Sequence, residues 1–473
     1  MGSEWITYSV DEIATVKSGK RLPKDESLTD KKTSYPYIRL VDVNQGKIDS
    51  SKIQYLEPKT QNKISRYIVE ANDVCLAIVG HTIGMVFYVE DEWNSANLTE
   101  NAARLTDISS SFNPRYIYYY LISPVGQSEI ISRKVGSAQG KLPLYNIKEL
   151  KIKAPDRITQ DHIVDVLLSL DNKITLNRQI NQTLEQMAQT LFKSWFVDFD
   201  PVIDNALDAG FFEQDLAFSD ELLRRVEVRK AVRESDNFKP LSEDIRRLFP
   251  NAFEECAEPA LGLGGWMPKG WMSKSISDAI FINPKVNLAK DTVAKFVDMK
   301  ALPTSGYSIE EVSEKPFSGG MKFQNNDILL ARITPCLENG KTGIVDFLSE
   351  NEAGFGSTEF IILRGNKNIH YSYIACLARY ESFRQHVIQS MVGSSGRQRV
   401  QNGCFNDYKI AVPSGEVMNR FADIVSPSFK KLTQNTNESR SLTKLRDTLL
   451  PKLISGELSL SDIKIDIPEE TLI

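Results

Sequence analysis

Residues 163–195 read IVDVLLSLDNKITLNRQINQTLEQMAQTLFKSW, with neither proline nor glycine. Apolar residues recur at alternating steps of four and three, and Asn177 and Asn181 occupy two positions of the same series. This heptad pattern is typical of a coiled coil, in which a narrow stripe packs against a partner helix. With the preceding residues from Ile158, which also include neither proline nor glycine, the run predicts one helix of about 38 residues and roughly 55–60 Å, at about 1.5 Å per residue.

A second copy of this element lies near the end of the chain. At an offset of 258 residues, TLFKSWFVDFDPV (190–202) falls on TLLPKLISGELSL (448–460), and Asn177 and Asn181 fall on Asn435 and Ser439. Polar residues at seam positions select register and partner at some cost in stability. Two matching helices favour antiparallel pairing with pseudo-two-fold symmetry. The alternative is that each helix packs only on its own domain.

The repeat extends to the rest of the chain. WITYSVDEIATVKSGKRLPKD (5–25) aligns with WMSKSISDAIFINPKVNLAKD (271–291), ANDVCLAIV (71–79) with NNDILLARI (325–333), and KIKAP (151–155) with KIAVP (409–413). The pair Thr99-Glu100 likewise falls on Thr358-Glu359. Several matches in one order indicate a true internal duplication.

The region before each long helix alternates short β-branched or aromatic runs with turn signals. These runs predict a mixed, mostly β domain, and residues 112–134 predict a helix within the first one. The fold class is therefore α+β: two such domains separated by two long antiparallel coiled-coil helices. The expected boundaries are 1–155 and 266–413 for the domains, 156–198 and 414–458 for the helices, 199–265 for a connector and 459–473 for a tail.

Length and composition are those of a multidomain protein outside the membrane. The chain has 473 residues, 41% hydrophobic and 25% charged, which is more than one core accommodates. We find no apolar run near the roughly 20 residues of a membrane helix and no secretory signal pattern. The five cysteines are scattered and form no C-x-x-C pair, which favours a reducing cytoplasm.

The charge is distributed unevenly along the chain. The whole chain has a net charge of −5, but residues 199–265 alone contain 15 acidic and 8 basic residues. Both predicted domains are mildly basic, which permits a basic face for nucleic acid. The acidic connector includes the charged helical pattern of residues 219–234, and we expect part of it to become ordered only against a partner.

Motifs of common catalytic sites are missing. The sequence contains no NPPY or DPPY tetrad for amino-group methylation, no G-x-x-x-x-G-K-[ST] phosphate loop and no H-E-x-x-H. Four histidines in the whole chain leave little for acid–base chemistry. The sequence therefore predicts a non-catalytic chain that holds no metal.

Seven motifs, in this order, carry a resemblance to a known family. They are LFKSWFVDFDPV (191–202), RRLFPNAFEE (246–255), GWMPKGW (265–271), LARITPCLENGKTG (330–343), GFGSTEFIIL (354–363), VGSSGRQRV (392–400) and LLPKLISGEL (449–458). With its two copies, the chain resembles the specificity (S) subunit of type I restriction–modification enzymes. The first domain matches less closely, through NDVCLAIVG and the VGSAQG stretch.

The resemblance implies a function in DNA recognition. Each β-rich domain would be a target-recognition domain that reads one half of a split double-stranded DNA site, and the two helices would separate the domains and bind two modification (methyltransferase) subunits. Restriction (translocase and nuclease) subunits would complete the complex. S-adenosylmethionine, ATP and Mg would belong to these partners. Because the two domains differ in sequence, we expect an asymmetric site.

Candidate DNA contacts are basic, amide and hydroxyl side chains in loops, because such groups read base edges and phosphates. In the second domain the loop of VGSSGRQRV is the strongest candidate, because two arginines and a glutamine within three residues are costly to bury. The candidates there are Arg332, Thr334, Lys341, Ser357, Thr358, Ser394, Arg397, Gln398 and Arg399. Those of the first domain are Lys20, Arg21, Arg39, His81, Thr82, Ser137, Gln139 and Lys141.

Candidate contacts to other subunits lie at the ends of the two long helices. They are Phe192, Trp195, Phe196, Phe199, Leu450, Leu453 and Ile454. The alternative for the four rings is that they pack on the second helix or the second domain. Two other functions remain open from sequence: the recognition subunit of a simpler type II-like methylase and nuclease system, and a coiled-coil scaffold without a DNA role.

Overall fold

The computed structural model describes residues 5–136, 140–256, 262–309, 311–394 and 396–458. The chain forms two compact units, residues 1–175 with 439–473 and residues 176–438. Each unit therefore combines one β-rich domain with parts of both long helices, so the unit boundaries cross the helices instead of following their ends.

The first unit is built from short strands and helices. Its strands are β1 (Ile6–Ser9), β2 (Thr15–Ser18), β3 (Pro36–Ile38), β4 (Val43–Asn44), β5 (Lys47–Ile48), β6 (Gln54–Tyr55), β7 (Val74–Ala77), β8 (Val86–Tyr88), β9 (Asn97–Leu98), β10 (Ala102–Thr106) and β11 (Lys151–Ala154). Its helices are α1 (Val10–Ile13), α2 (Pro58–Ile64), α3 (Pro114–Ile122), α4 (Pro124–Ser132), α5 (Leu144–Lys148) and the first half of α6 (Arg157–Phe196).

The second unit repeats this composition after a helical connector. Its strands are β12 (Phe253–Glu255), β13 (Trp266–Pro268), β14 (Met272–Ser275), β15 (Phe281–Ile282), β16 (Val293–Val297), β17 (Ser313–Pro316), β18 (Met321–Phe323), β19 (Ile328–Ala331), β20 (Thr342–Ile344), β21 (Gly354–Gly356), β22 (Phe360–Arg364) and β23 (Lys409–Val412). Its helices are α7 (Asp200–Asp208), α8 (Asp220–Arg233), α9 (Glu243–Arg246), α10 (Ile276–Ala279), α11 (Tyr371–Arg379), α12 (Glu381–Gln389), α13 (Cys404–Asp407) and α14 (Gly415–Ser455), which continues into the first unit.

The sheets reproduce the duplication seen in the sequence. The central sheet has the order β2-β10-β7-β8 in the first unit and β15-β22-β19-β20 in the second. The two-stranded ladders agree even in register, since Ile6 pairs with Ala154 and Met272 pairs with Val412. These pairs are related by the offsets of 266 and 258 residues that align the two halves. The repeat is therefore a repeat of topology and pairing.

The two long helices run antiparallel in the second unit, as the heptad pattern predicts, and they also contact each other in the first unit. In the second unit the Asn177 amide donates to Glu438 at 2.8 Å, and the Trp195 ring centroid lies 6.0 Å from that of Phe421. In the first unit Arg446 donates to Asp171 at 2.8 Å. Residues farther along α6 thus contact residues earlier along α14, as expected for antiparallel helices.

Residues 112–134 form two helices and not the single one that the sequence pattern predicts. Ser123 is extended, with φ −66° and ψ 160°, and its hydroxyl accepts the N–H of Gly126 at 3.2 Å to cap α4. Pro124 lacks an N–H, so it cannot continue the hydrogen bonding of α3 but fits the first turn of a new helix. The prediction of a single helix over residues 112–134 is therefore wrong at Ser123 and Pro124.

The acidic connector is folded on the second unit within this chain. α7 and α8 are joined by ion pairs, since the Arg229 guanidinium donates to both carboxylate oxygens of Asp204 at 2.9 and 2.5 Å. Arg233 and Arg246 both bind Asp208. Asp204 and Asp208 therefore join the connector helices to one another, and contacts within this chain hold these elements.

Candidate DNA interface

Three segments meet at one end of the central sheet in each unit, and we call each meeting point a recognition cluster. In the second unit the cluster comprises 332–341 after β19, 357–359 before β22, and 392–394 with 396–400 after α12. In the first unit it comprises 78–85 after β7, 99–101 before β10, and 135–136 with 140–142 after α4. The sequence places most of the candidate DNA contacts on these segments.

Equivalent backbone hydrogen bonds hold both clusters together. In the second, the Arg332 N–H donates to Glu359 O at 2.9 Å and the Val400 N–H donates to Arg332 O at 3.0 Å. In the first, Ile78 N–H donates to Asn101 O at 2.9 Å and Leu142 N–H donates to Ile78 O at 2.9 Å. The backbone frame is thus shared, while the side chains it carries differ.

Arg399 and Glu359 form an ion pair at the second cluster. The Nε of Arg399 lies 2.9 and 3.0 Å from the two carboxylate oxygens of Glu359, and its Nη2 lies 2.6 Å from Oε1. These hydrogen bonds lower the pKa of Glu359 below its usual value, and the nearby Arg332 charge acts in the same direction. The group of three charges is therefore ionised at neutral pH and has an excess of one positive charge.

Arg397 projects from the same segment into solvent. Its backbone N–H donates to Ser394 O at 2.9 Å, which closes a tight turn, and both residues are exposed. Within the described ranges the Arg397 guanidinium has no side-chain partner. Gln398 is half-buried, and its backbone makes two hydrogen bonds with Thr334. The Thr334 N–H donates to Gln398 O at 3.1 Å, and the Gln398 N–H donates to the Thr334 hydroxyl at 3.0 Å. An exposed cation beside an oriented one suits a polyanion.

Three other candidates of the second cluster make hydrogen bonds within the domain. Thr334 is buried and its hydroxyl accepts the Gln398 N–H, while the Lys341 ammonium donates to Met299 O at 2.8 Å. The Ser357 hydroxyl accepts the Glu359 N–H at 3.1 Å. Ser357 and Thr358 lie in the turn between β21 and β22 and do not begin a strand, and of these two only Thr358 is exposed.

The first cluster carries a different set of side chains. Lys141 stands at the position of Arg399, since it forms the same pair of backbone bridges, to Val79 and Val135. Lys141 and His81 are exposed, while the Thr82 hydroxyl donates to Val79 O at 2.7 Å. Ser137 and Gln139 lie outside the described residues.

The basic turn after β2 joins the first cluster through Glu100. Arg21 Nε donates to Glu100 Oε1 at 2.8 Å, and the Lys20 ammonium lies 5.4 Å from the centre of the Tyr67 ring. Both cations are exposed. The strand registers place Asn101, not Glu100, at the position of Glu359, so the sequence alignment of Thr99-Glu100 with Thr358-Glu359 is shifted by one residue from the structure. The carboxylate of Glu100, one residue earlier, binds an arginine from a different segment.

Arg39 has a structural environment. Its Nε and Nη2 bind the carboxylate of the fully buried Asp42 at 2.9 and 2.7 Å, Nη2 also donates to Lys52 O at 3.0 Å, and Nη1 donates to Gln54. Four of the five N–H groups of a guanidinium are thereby satisfied inside the domain. The structure therefore favours an internal role and not a DNA contact for this arginine.

The residues expected to bind other subunits are buried in this chain. The exposed fraction is 1% for Phe192 and Trp195, 6% for Phe196 and 2% for Phe199, and the rings form edge contacts such as Phe196 with Phe421 at 4.9 Å. Leu450, Leu453 and Ile454 are equally buried in the core of the first unit. These side chains offer no surface to a partner, so the structure favours the packing alternative.

Sequence reasoning did not select Glu100 and Glu359 as site residues. Their signal was present, because both pairs of Thr and Glu align in the repeat. A carboxylate is a poor candidate for a phosphate contact when considered alone. Only the observed arginine partners give it a place in the clusters.

Other kinds of site are not seen in the described part of the chain. There, no group of three or more His, Cys, Asp or Glu side chains is arranged to hold a metal ion. No described helix combines the length and apolar character needed to cross a membrane.

Comparisons with known proteins agree with this architecture. Residues 2–186 match the model of the type I restriction modification DNA specificity domain. The chain is 24% identical over 474 residues to the type I restriction enzyme HindI specificity subunit of Haemophilus influenzae, covering 96% of this chain and all of that protein. It is 25% identical to the MjaIX specificity subunit of Methanocaldococcus jannaschii, covering 74% of this chain and 70% of that one.

A solved structure has the same fold. The type I restriction–modification S subunit from M. genitalium superimposes with a TM-score of 0.55 at 16% identity, covering 96% of both chains. The shared fold is that of a two-domain protein in which each β-rich domain is followed by a long helix. Over most of its length the chain is therefore similar to specificity subunits of type I restriction enzymes.

Proposed function

We propose that this chain is the non-catalytic DNA-recognition subunit of a type I restriction–modification complex. Each unit reads one half of a split double-stranded site through its recognition cluster. The observation that carries the proposal is that one backbone frame, with equivalent hydrogen bonds, holds different polar side chains in the two units. Surface loops on a rigid scaffold that differ only in their polar side chains are suited to recognising different sequences.

The two half-sites are expected to differ. The second cluster presents Arg397, Gln398 and Arg399, whereas the first presents Lys141 at the position of Arg399. Arginine can donate two parallel hydrogen bonds to one base, while the lysine ammonium acts as a point charge. A chain with one cluster of each kind reads an asymmetric site.

The chemistry belongs to partner subunits in this proposal. Two modification subunits supply S-adenosylmethionine-dependent methyl transfer, and restriction subunits supply ATP- and Mg-dependent translocation and cleavage. The five unpaired cysteines support a reducing, cytoplasmic location. For subunit binding we propose the exposed face of α6, where Met187 is 61% exposed, because the buried rings cannot serve.

Co-expression with the methyltransferase subunit tests the proposal. Light scattering of the purified complex should give two methyltransferase subunits per chain. Selection from a randomised duplex library should return a split, asymmetric motif. A single fused methylase–nuclease partner would favour the simpler system, and a folded chain or complex that selects no motif would exclude DNA recognition.

A further inference from the structure

The ion pair of Arg399 and Glu359 has a geometry that leaves one edge of the guanidinium available. Glu359 contacts the side of the group formed by Nε and Nη2, with three distances between 2.6 and 3.0 Å. Among the described residues, Nη1 of Arg399 has no partner. The edge formed by Nη1 and the outer N–H of Nη2 is therefore directed away from the carboxylate, because a guanidinium is planar and its five N–H groups have set directions.

Exposure distinguishes the two members of the pair. The Arg399 side chain is 48% exposed and the Glu359 side chain is 21% exposed. The backbone of Glu359 is also fixed on both sides, since the Ser357 hydroxyl accepts the Glu359 N–H and the Glu359 carbonyl accepts the Arg332 N–H. Glu359 thus has a stable position in the turn, while the arginine extends beyond it toward solvent.

Arg39 shows what a structural arginine looks like in the same protein. Both of its edges are occupied, by Asp42 on one side and by Gln54 and a backbone carbonyl on the other. Arg399 has only the inner edge occupied. A charged carboxylate that orients an arginine without covering its outer edge lowers the entropy that the side chain loses on binding a ligand.

We propose that Glu359 is a positioning residue that presents the outer edge of Arg399 to a guanine in the major groove. Two parallel N–H groups match the O6 and N7 acceptors of guanine, which is the pairing that distinguishes this base. The half-site read by the second unit then contains a G·C pair at the position of Arg399. This inference rests on the proposed function and adds one base to it.

The first unit should read its half-site differently. Lys141 occupies the position of Arg399, Asn101 occupies the position of Glu359, and the neighbouring Glu100 binds Arg21 from another segment through one hydrogen bond. The Arg21 side chain is 80% exposed, against 48% for Arg399. The second unit therefore holds the better oriented of these two arginines.

The test is motif selection by the full complex with its methyltransferase subunits. The wild type, Arg399→Ala, Arg399→Lys and Glu359→Gln are compared on one randomised duplex library. Asp244→Asn is the matched control, since it removes the carboxylate partner of another exposed arginine, Arg420, at 3.1 Å. Thermal unfolding of each complex confirms that the variants are folded.

We expect one guanine of the motif to lose its selection in Arg399→Ala by about tenfold or more, with all other positions unchanged. Arg399→Lys should lose most of the same preference. Glu359→Gln should relax this single position while affinity for unrelated DNA stays equal or rises, because a negative charge is removed. A purely structural role of Glu359 would instead weaken all positions together.

Three results would overturn the inference. The first is an equal loss of base selection at all positions of the motif in Arg399→Ala, which would indicate a phosphate contact. The second is full selectivity in Glu359→Gln, which would leave Arg399 as a reader that needs no positioning. The third is selection of a base other than guanine at the affected position. Failure of the proposed function is distinguishable from these, because the wild-type complex would then select no motif.

Discussion

The side-chain amide of Asn435 donates to the side-chain oxygen of Asn181 at 2.9 Å across the seam between α14 and α6. Asn435 is 1% exposed, and Asn177 completes the group by donating to Glu438. A hydrophobic stripe tolerates sliding by a heptad, whereas a buried amide that loses its partner costs free energy. The asparagines therefore specify the register of the two helices within the second unit.

Replacing one member of this pair should destabilise the chain. Asn435→Leu leaves the side-chain oxygen of Asn181 without its donor in the seam, and we expect the free energy of unfolding to fall by about 1–3 kcal/mol. The double variant Asn181→Leu with Asn435→Leu should recover much of that loss. Urea unfolding measures both changes, with the exposed Gln179→Leu as control. If the loss of unfolding free energy in the double variant equalled the sum of the losses in the two single variants, the result would contradict the pairing.

Phe196→Ala should reduce stability and not merely subunit binding. The ring is 6% exposed and contacts Tyr373, Trp271 and Phe421 with centroid distances of 5.0, 6.3 and 4.9 Å. Truncating such a ring leaves a cavity that costs about 3–5 kcal/mol. Thermal unfolding of the isolated chain checks this. A variant as stable as the wild type that no longer binds the methyltransferase would restore the docking role.

Met187→Glu should weaken subunit binding and leave the stability of the chain nearly unchanged, which is the opposite of the effect expected for Phe196→Ala. The side chain is exposed on α6, so a charge there should leave the melting temperature of the chain nearly unchanged. If this face binds a modification subunit, the buried charge should weaken the complex by tenfold or more. Gln186→Glu, on the neighbouring exposed position, controls for the added charge. Equal affinity of the two variants would place the docking surface elsewhere.

Glu185 should make stability depend on pH near neutrality. Burial raises the pKa of this carboxyl to about 7 from an ordinary 4.5, despite the opposing charge of Arg379. The folded state then binds an extra proton between these values, so the contribution of this group is fully present below about pH 4.5 and is lost as the pH rises through 7. Glu185→Gln should therefore gain stability relative to the wild type between pH 5 and 8.

Melting temperatures of both proteins across that range provide the measurement for Glu185. Glu338→Gln removes one exposed carboxylate and serves as the control. If the difference in melting temperature between Glu185→Gln and the wild type stayed constant from pH 5 to pH 8, the result would contradict the raised pKa.

Arg397→Ala should weaken DNA binding without changing the motif. Its guanidinium is exposed and lacks a positioning partner in the described part of the chain, which suits a phosphate contact. Loss of one such contact should reduce the slope of log affinity against log salt by about 0.9 and lower affinity for all sequences alike. Combined with Arg399→Ala, specific binding should fall by well over tenfold. Arg247→Ala, at a 71% exposed side chain outside the cluster, is the control.

Local pattern determined the larger parts of the fold. The heptads predict α6 and α14 to within a few residues, because helix periodicity and helix-ending residues act over short distances. α6 ends at Phe196, Phe199 takes the left-handed conformation with φ +59°, and the next helix begins at Asp200 with Pro201 in its first turn. The internal repeat likewise predicts that the two halves share one architecture, and both central sheets have the same pattern of strand order.

The tertiary structure alone decided which polar and aromatic side chains are available. Arg39 and Arg399 are both arginines in loops, and their difference lies in partners contributed by other segments, Gln54 in one case and Glu359 in the other. The four rings of TLFKSWFVDFDPV are likewise buried by residues more than 40 positions away, among them Phe249 and Tyr373. Sequence determines what a segment can form by itself, but burial and pairing depend on which distant segments the fold brings beside it.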